Sequence, residues 1–320
     1  MVGVNWIGDA VMSMPALQAW RRVNPGTRLL LLTKSPLAPL WMLHRAPDEI
    51  LLYGDSISSI GCAAREIAKR GISRAVIMPN SFRAALPPFL ARVPERVGRA
   101  GHWRRWLLTS VAPDPAPGHQ SLEAYDLLGL ARPPTGPETP ALHVPEEAMV
   151  SARRTVGRLA RPLLAVMPGA ARGPSKRWPA LSFGRVASRW HAETGGGVVA
   201  LGSAADRECC DQATIGIEES LNLAGQTSLL EWVALLAVCD AVVCNDSGGM
   251  HVAAALGRPV VAVFGATDPA VTGPIGPLVR VVTDDGPRSR DIGRRDRDAE
   301  KRLAALPPSR VYAALRELVP

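Results

Sequence analysis

The chain has 320 residues, of which 47% are apolar and 21% charged, with a formal charge of +8 dominated by arginine. This composition is that of a globular protein with room for two domains, so general disorder is excluded. The positive surplus favours an anionic partner, whether nucleic acid, phosphorylated metabolite or membrane surface, without choosing among them.

The five cysteines, Cys62, Cys209, Cys210, Cys239 and Cys244, are odd in number and include no Cys-x-x-Cys pair, so neither a disulfide framework nor a zinc site is indicated. Cys239 and Cys244 read as small buried hydrophobes suited to a reducing cytoplasm. The N-terminus, MVGVNWIGDA, lacks a basic region followed by an apolar stretch, so no signal peptide is expected. The best candidate for a membrane span, 229–244, contains Glu231 and Asp240, so any membrane contact is expected to be peripheral.

In chain order, strands are expected at 29–32, 50–53 and 75–78, with helices at 10–22 and 57–70 between them. The second half repeats the alternation, with strands at 163–167, 198–201, 241–244 and 260–264. Helices are expected there at 179–194, 204–213, 229–239 and 250–256. Apolar runs without polar alternation, joined by helices, predict parallel strands covered on both faces, a doubly wound α/β architecture. Five prolines in 131–145 mark an interdomain linker, which gives domains at 1–140 and 146–300. A polar stretch at 284–301 reads as a mobile loop, and amphipathic 309–318 as a helix. The first strand is short: only four residues precede the turn Asn5-Trp-Ile-Gly-Asp9, so either it is a stub or the chain begins late.

Three segments carry chemistry. In Asn5–Ser13, Gly8 would permit a strand-to-helix turn, with Asp9 at the helix N-terminus either as an N-cap or as a general base. In 168–179, a Gly/Ala-rich loop bearing Lys176 and Arg177 follows a strand, which suits an anion; Trp178 could be core or ligand platform. In 244–251, a strand ends in Asn245-Asp-Ser-Gly-Gly-Met-His251, whose amides at a helix N-terminus could hold a pyrophosphate. There Asp246 would orient the loop or bind a sugar hydroxyl, and His251 could offset phosphate charge or be a satisfied core residue. No G-x-G-x-x-G after a strand, no P-loop, no G-x-S-x-G elbow and no metal-spaced His cluster is present.

Together these segments resemble the ADP-heptose–lipopolysaccharide heptosyltransferases of glycosyltransferase family 9, their heptosyltransferase II branch most closely. The matching pieces are NWIGDAVMS at 5–13, PGAARGPSKRWP at 168–179 and NDSGGMHVAAALGRPVVAVFGATDP at 245–269. Weaker matches are NSFRAAL at 80–86, RVGRAGHWRRWLLT at 96–109 and LAGQTSLLE at 223–231. The resemblance implies a GT-B type fold, two Rossmann-like domains facing a cleft, and heptose transfer with inversion and without a metal or cofactor. It makes Asp9 the base and Lys176 the group that offsets charge on departing ADP. Ala170, Ala171, Asp206, Glu208, Thr227, Asp246, Ser247, Gly248, Gly249 and His251 would bind the donor, ADP-heptose. On the acceptor side, Asn5, Arg83, Arg99, Arg104 and Arg105 would meet a lipid A–inner core molecule at the inner face of the cytoplasmic membrane. The arginines between 83 and 105 read equally as a solvated basic face. Residues 301–320 would form a C-terminal helix that could return to the N-terminal domain. The family's cysteine- and histidine-bearing segment is replaced here by 288–301. No nucleic acid is expected as partner. The alternatives are a GT-B transferase or epimerase for another nucleotide sugar, or a non-catalytic module binding anionic glycan or nucleic acid.

Overall fold

The computed structural model describes residues 1–171, 173–288 and 296–319. The chain divides into two compact units, Met1–Glu138 and Thr139–Pro320.

The first unit runs α1 (Ile7–Val23), β1 (Leu30–Thr33), α2 (Ala38–Trp41), β2 (Glu49–Leu52), α3 (Ile57–Lys69), β3 (Arg74–Ile77), α4 (Phe82–Leu90), β4 (Glu95–Arg99), β5 (Ser110–Ala112) and α5 (Leu122–Leu128). Its ladders are parallel, β1 on β2 and β3–β4–β5. The short N-terminal stretch joins these two pieces. Val2 bridges Leu32 on one side and Ile77 on the other, and its N–H donates to the Val76 carbonyl at 2.8 Å. Apolar residues from that stretch and from β1, β3, α3 and α4 form one core, with Leu32 and Ile77 at its centre.

The second unit runs α6 (Glu146–Thr155), β6 (Leu164–Met167), α7 (Ala180–Thr194), β7 (Val198–Ala200), α8 (Arg207–Thr214), β8 (Ser220–Asn222), α9 (Leu229–Val238), β9 (Ala241–Asn245), α10 (Gly248–Ala255), β10 (Val260–Phe264), α11 (Pro269–Thr272), β11 (Val279–Thr283), α12 (Arg297–Ala305) and α13 (Pro308–Leu318). Six parallel strands lie in the order β11-β10-β9-β6-β7-β8. Strands β6, β9 and β10 are buried at every residue, which is why their sequences are continuous apolar runs. The winding direction reverses between β6 and β9, so the loops leaving these two strands diverge to opposite faces and leave a crevice at their carboxyl ends.

Two expectations change. Residues 297–301 are helical, in α12, where the Asp296 side chain accepts the amides of Asp298 and Ala299; residues 289–295 of the expected mobile loop lie outside the described residues. The terminal helix falls within the second unit. Val311, Tyr312 and Leu315 bury into the core of the second unit, against α7 and β10, because that face of α13 is its apolar one. Among the described residues no helix is long and apolar enough to cross a membrane: the apolar run 229–244 is divided between α9 and β9.

Candidate active site

The second unit places the basic loop and the glycine turn side by side, because β6 and β9 are neighbours with Met167 opposite Cys244. Asn245, the last residue of β9 and fully buried, ties the two loops together. Its Nδ2 donates to the Pro168 carbonyl at 2.7 Å, and its Oδ1 accepts the Trp178 amide at 3.0 Å. Trp178 is core rather than platform: its indole donates to the Leu306 carbonyl at 3.0 Å, and its ring meets Phe183 edge-on at 4.9 Å.

Between these fixed ends, Lys176 closes a short 3-10 turn, Pro174–Lys176, and its ammonium donates to the Asp246 carboxylate. Only 15% of the Lys176 side chain and 7% of the Asp246 side chain is exposed, so the pair is held out of bulk water. Asp246 therefore orients a cation. Next to it, α10 begins at Ser247, which has extended backbone and no side-chain capping bond. The Met250 amide donates to the Ser247 carbonyl at 3.2 Å, while the amides of Gly248 and Gly249 before it have no acceptor within the helix, and the helix dipole adds partial positive charge there. A cation beside uncapped amides at a topological switch point can hold an anion such as a phosphate. Gly249 has a second reason to be glycine: a Cβ there would lie 2.6 Å from Met167 Cε. His251 is buried in α10, one turn in.

The remaining expected donor residues sit on neighbouring loops at the same strand ends. Arg177 Nε donates to the Ala170 carbonyl at 3.0 Å, and Ala171 is exposed. Asp206 is occupied in a capping box, accepting the amide and hydroxyl of Ser203 at 3.0 and 2.6 Å, and a Cβ at Gly169 would lie 2.3 Å from its carboxyl carbon. Glu208 is exposed in the first turn of α8. Thr227 is half-buried and precedes another capping box, in which Ser228 and Glu231 exchange hydrogen bonds at the start of α9. The two amide and hydroxyl bonds from Ser228 hold the Glu231 carboxyl below its ordinary range.

In the first unit, α1 begins three residues earlier than the helix expected at 10–22. The N-cap is Trp6, Gly8 is helical, and Asp9 is the third helical residue, so Asp9 is not an N-cap. Its Oδ1 accepts from Gln120 Nε2 at 3.2 Å. Asp9 borders two adjoining pockets. One, of about 180 Å³, is lined by Ser13, Asn80, Arg99, Gln120 and Glu123; the other, of about 480 Å³, by Asn5, Trp6, Phe82, Arg83 and His102. A carboxylate at a helix N-terminus, bordered by polar side chains and open to solvent, can accept a proton from a bound hydroxyl.

The basic stretch is not one patch. Arg104 is fully buried and donates to the backbone carbonyls of Arg99 (2.9 Å), Ser81 (3.3 Å) and Pro79, so it shapes a turn and cannot face an acceptor. Burial and the nearby Arg99 charge push its guanidinium down to about 10. Arg99 pairs with Glu123 at 2.8 Å, and Arg96 spends its guanidinium on the carbonyls of Leu107 and Val93. Arg83, Arg92 and Arg105 remain exposed. Sequence reasoning missed Gln120 and Asn245: Gln120 lies in a loop with no periodic signal, while Asn245 was passed over inside the motif for its charged neighbour.

The model of glycosyltransferase family 9 (heptosyltransferase) matches residues 62–301. The chain is 34% identical over 311 residues to lipopolysaccharide heptosyltransferase 2 of Escherichia coli K12, covering 88% of this chain and 86% of that one. It is 30% identical over 352 residues to lipooligosaccharide heptosyltransferase 2 of Haemophilus ducreyi, covering 100% and 98%. Among solved structures, ADP-heptose LPS heptosyltransferase II of E. coli superposes with a TM-score of 0.85 at 29% identity, covering 99% of this chain and 97% of that one. The fold is thus of GT-B type, and the class is that of a glycosyltransferase. The chain belongs to glycosyltransferase family 9, the heptosyltransferases.

Proposed function

We propose that the chain transfers heptose from ADP-heptose to the inner core of lipopolysaccharide, on a heptosyl-Kdo-lipid A type acceptor, with inversion and without a metal. The observation that carries this reading is the Lys176–Asp246 pair beside the uncapped start of α10, together with 34% identity to a lipopolysaccharide heptosyltransferase 2. In this mechanism Asp9 takes the proton from the acceptor hydroxyl, and the oxygen attacks the anomeric carbon. The bond to the β-phosphate oxygen breaks, and the departing ADP gains one negative charge. Lys176 and the α10 amides offset that charge in place of a metal ion, while Asp246 holds the ammonium in position. Exposed Arg83 and Arg105, with Asn5, would meet the phosphates and carboxylates of the acceptor. Because that acceptor is anchored in a bilayer, the enzyme works at the inner membrane face as a peripheral protein.

Mass spectrometry of the acceptor after incubation with ADP-heptose tests this. Addition of one heptose, with no transfer from UDP- or GDP-sugars, is expected. Transfer from one of those donors instead would retain the fold and reassign the substrate; modification by none would reject the reading.

A further inference from the structure

The turn that Arg104 builds does something no catalytic role requires. Buried Arg104 grips the carbonyls of Pro79, Ser81 and Arg99, and its amide closes onto the Gly101 carbonyl at 3.1 Å. His102 and Trp103 within this turn have φ of 47° and 61°, in the left-handed region that non-glycine residues rarely adopt. The result of this arrangement is Trp103 at 92% exposure. Beside it Trp106, 63% exposed, stands on Phe82 and Phe89 at 5.8 and 5.4 Å, and Leu90 is 53% exposed. In the chain Arg92 follows Leu90 by two residues and Arg105 lies between Trp103 and Trp106, and both arginines are exposed. Opposite-sign company is sparse: Glu95, the only acid from 83 to 105, pairs with Arg74 at 3.2 Å.

An exposed tryptophan held by a buried anchor wastes apolar surface in water but suits the headgroup region of a bilayer, where an amphipathic ring is at home. Arginines around it would find lipid phosphates. Placement supports the same partner: His102, in the same turn, lines the larger pocket bordered by Asp9 and Trp6. We propose that Trp103, Trp106 and Leu90, flanked by Arg92 and Arg105, form a docking face for an anionic lipid bilayer. Docking there delivers a lipid-anchored acceptor to the pocket without extracting it fully from the membrane. The proposal rests on the lipid-linked acceptor of the preceding reading.

The test is sedimentation of the full chain with vesicles containing no acceptor, so docking is measured apart from transfer. Vesicles of phosphatidylethanolamine and phosphatidylglycerol should bind the protein, and pure phosphatidylcholine should bind it far less. Trp103→Ser should weaken binding by about tenfold, and Arg92→Gln by about fivefold at low salt. Neither should change melting temperature or turnover on a detergent-dispersed acceptor. Wild-type affinity for Trp103→Ser, or equal binding to both vesicle types, would overturn the docking face. Loss of turnover on every acceptor with docking intact would instead reject the transferase reading alone.

Discussion

At the scale of single residues, two side chains carry the proposed chemistry, Asp9 and Lys176. Asp9 accepts from Gln120, so replacing it by asparagine preserves shape while removing the proton acceptor. Asp9→Asn is expected to lower kcat by about 10²–10⁴-fold while leaving the Kd for ADP-heptose within a few-fold. A parallel loss of donor affinity, measured by calorimetry, would make Asp9 structural. Lys176→Ala should weaken ADP and ADP-heptose alike, and it should also lower Tm, because Asp246 would be left 7% exposed without its partner. Unchanged affinity for both nucleotides would remove Lys176 from the site. The sequence pointed to both residues because each lies in an ordered motif. It could not show Lys176 and Asp246 paired, since they are 70 positions apart and meet only through the adjacency of β6 and β9. Nor could it separate Arg104 from the exposed Arg105: only the tertiary fold decides which of two consecutive arginines turns inward.

At the scale of elements, the legible ones were long or continuously apolar. Strands β9 and β10 and helices α3, α7 and α9 fall within a residue or two of their expected ends. Strand β4 was hidden because Glu95, Arg96 and Arg99 flank Val97 and Gly98, which reads as a charged surface. Helix α4 was hidden by Pro87 and Pro88 in its interior, and β5 and β8 by being short without the full burial that makes equally short β7 an apolar run. The LAGQTSLLE segment has a structural reason for its Ser and Glu, the box that starts α9. Ser228→Ala should cost about 1 kcal/mol by denaturant unfolding. The Glu231 carboxyl is lowered from its ordinary 4.5, so its contribution is complete above that value and fades as pH falls below it. Glu231→Gln should flatten that acid limb; an unaltered acid limb would remove Glu231 from it.

At the scale of the whole molecule, two units with separate cores divide the chemistry. Asp9 lies in the first, and the proposed phosphate site, built from Lys176, Asp246 and the start of α10, in the second. ADP alone should therefore slow amide hydrogen exchange in 168–178 and 245–251. Unchanged exchange there at saturating ADP would contradict the site. Alkaline stability follows from the buried thiols. Burial pushes Cys239 up to about 12 and raises Cys244 as well, so both stay neutral in the fold. Their unfolded counterparts ionise near 9, so this stability is full below that pH and is lost progressively toward 12. Cys239→Ala should reduce the slope of Tm against pH in that window, and an identical slope would count against burial as its cause.

The most direct test of the central claim is ADP release from ADP-heptose in EDTA, with and without heptosyl-Kdo-lipid A, for the wild type and Asp9→Asn. Release that depends on the acceptor, persists in EDTA and collapses in the variant is the predicted result. Folded wild-type protein that releases no ADP, or does so only with added metal, would contradict a lysine-and-amide site driven by an aspartate base.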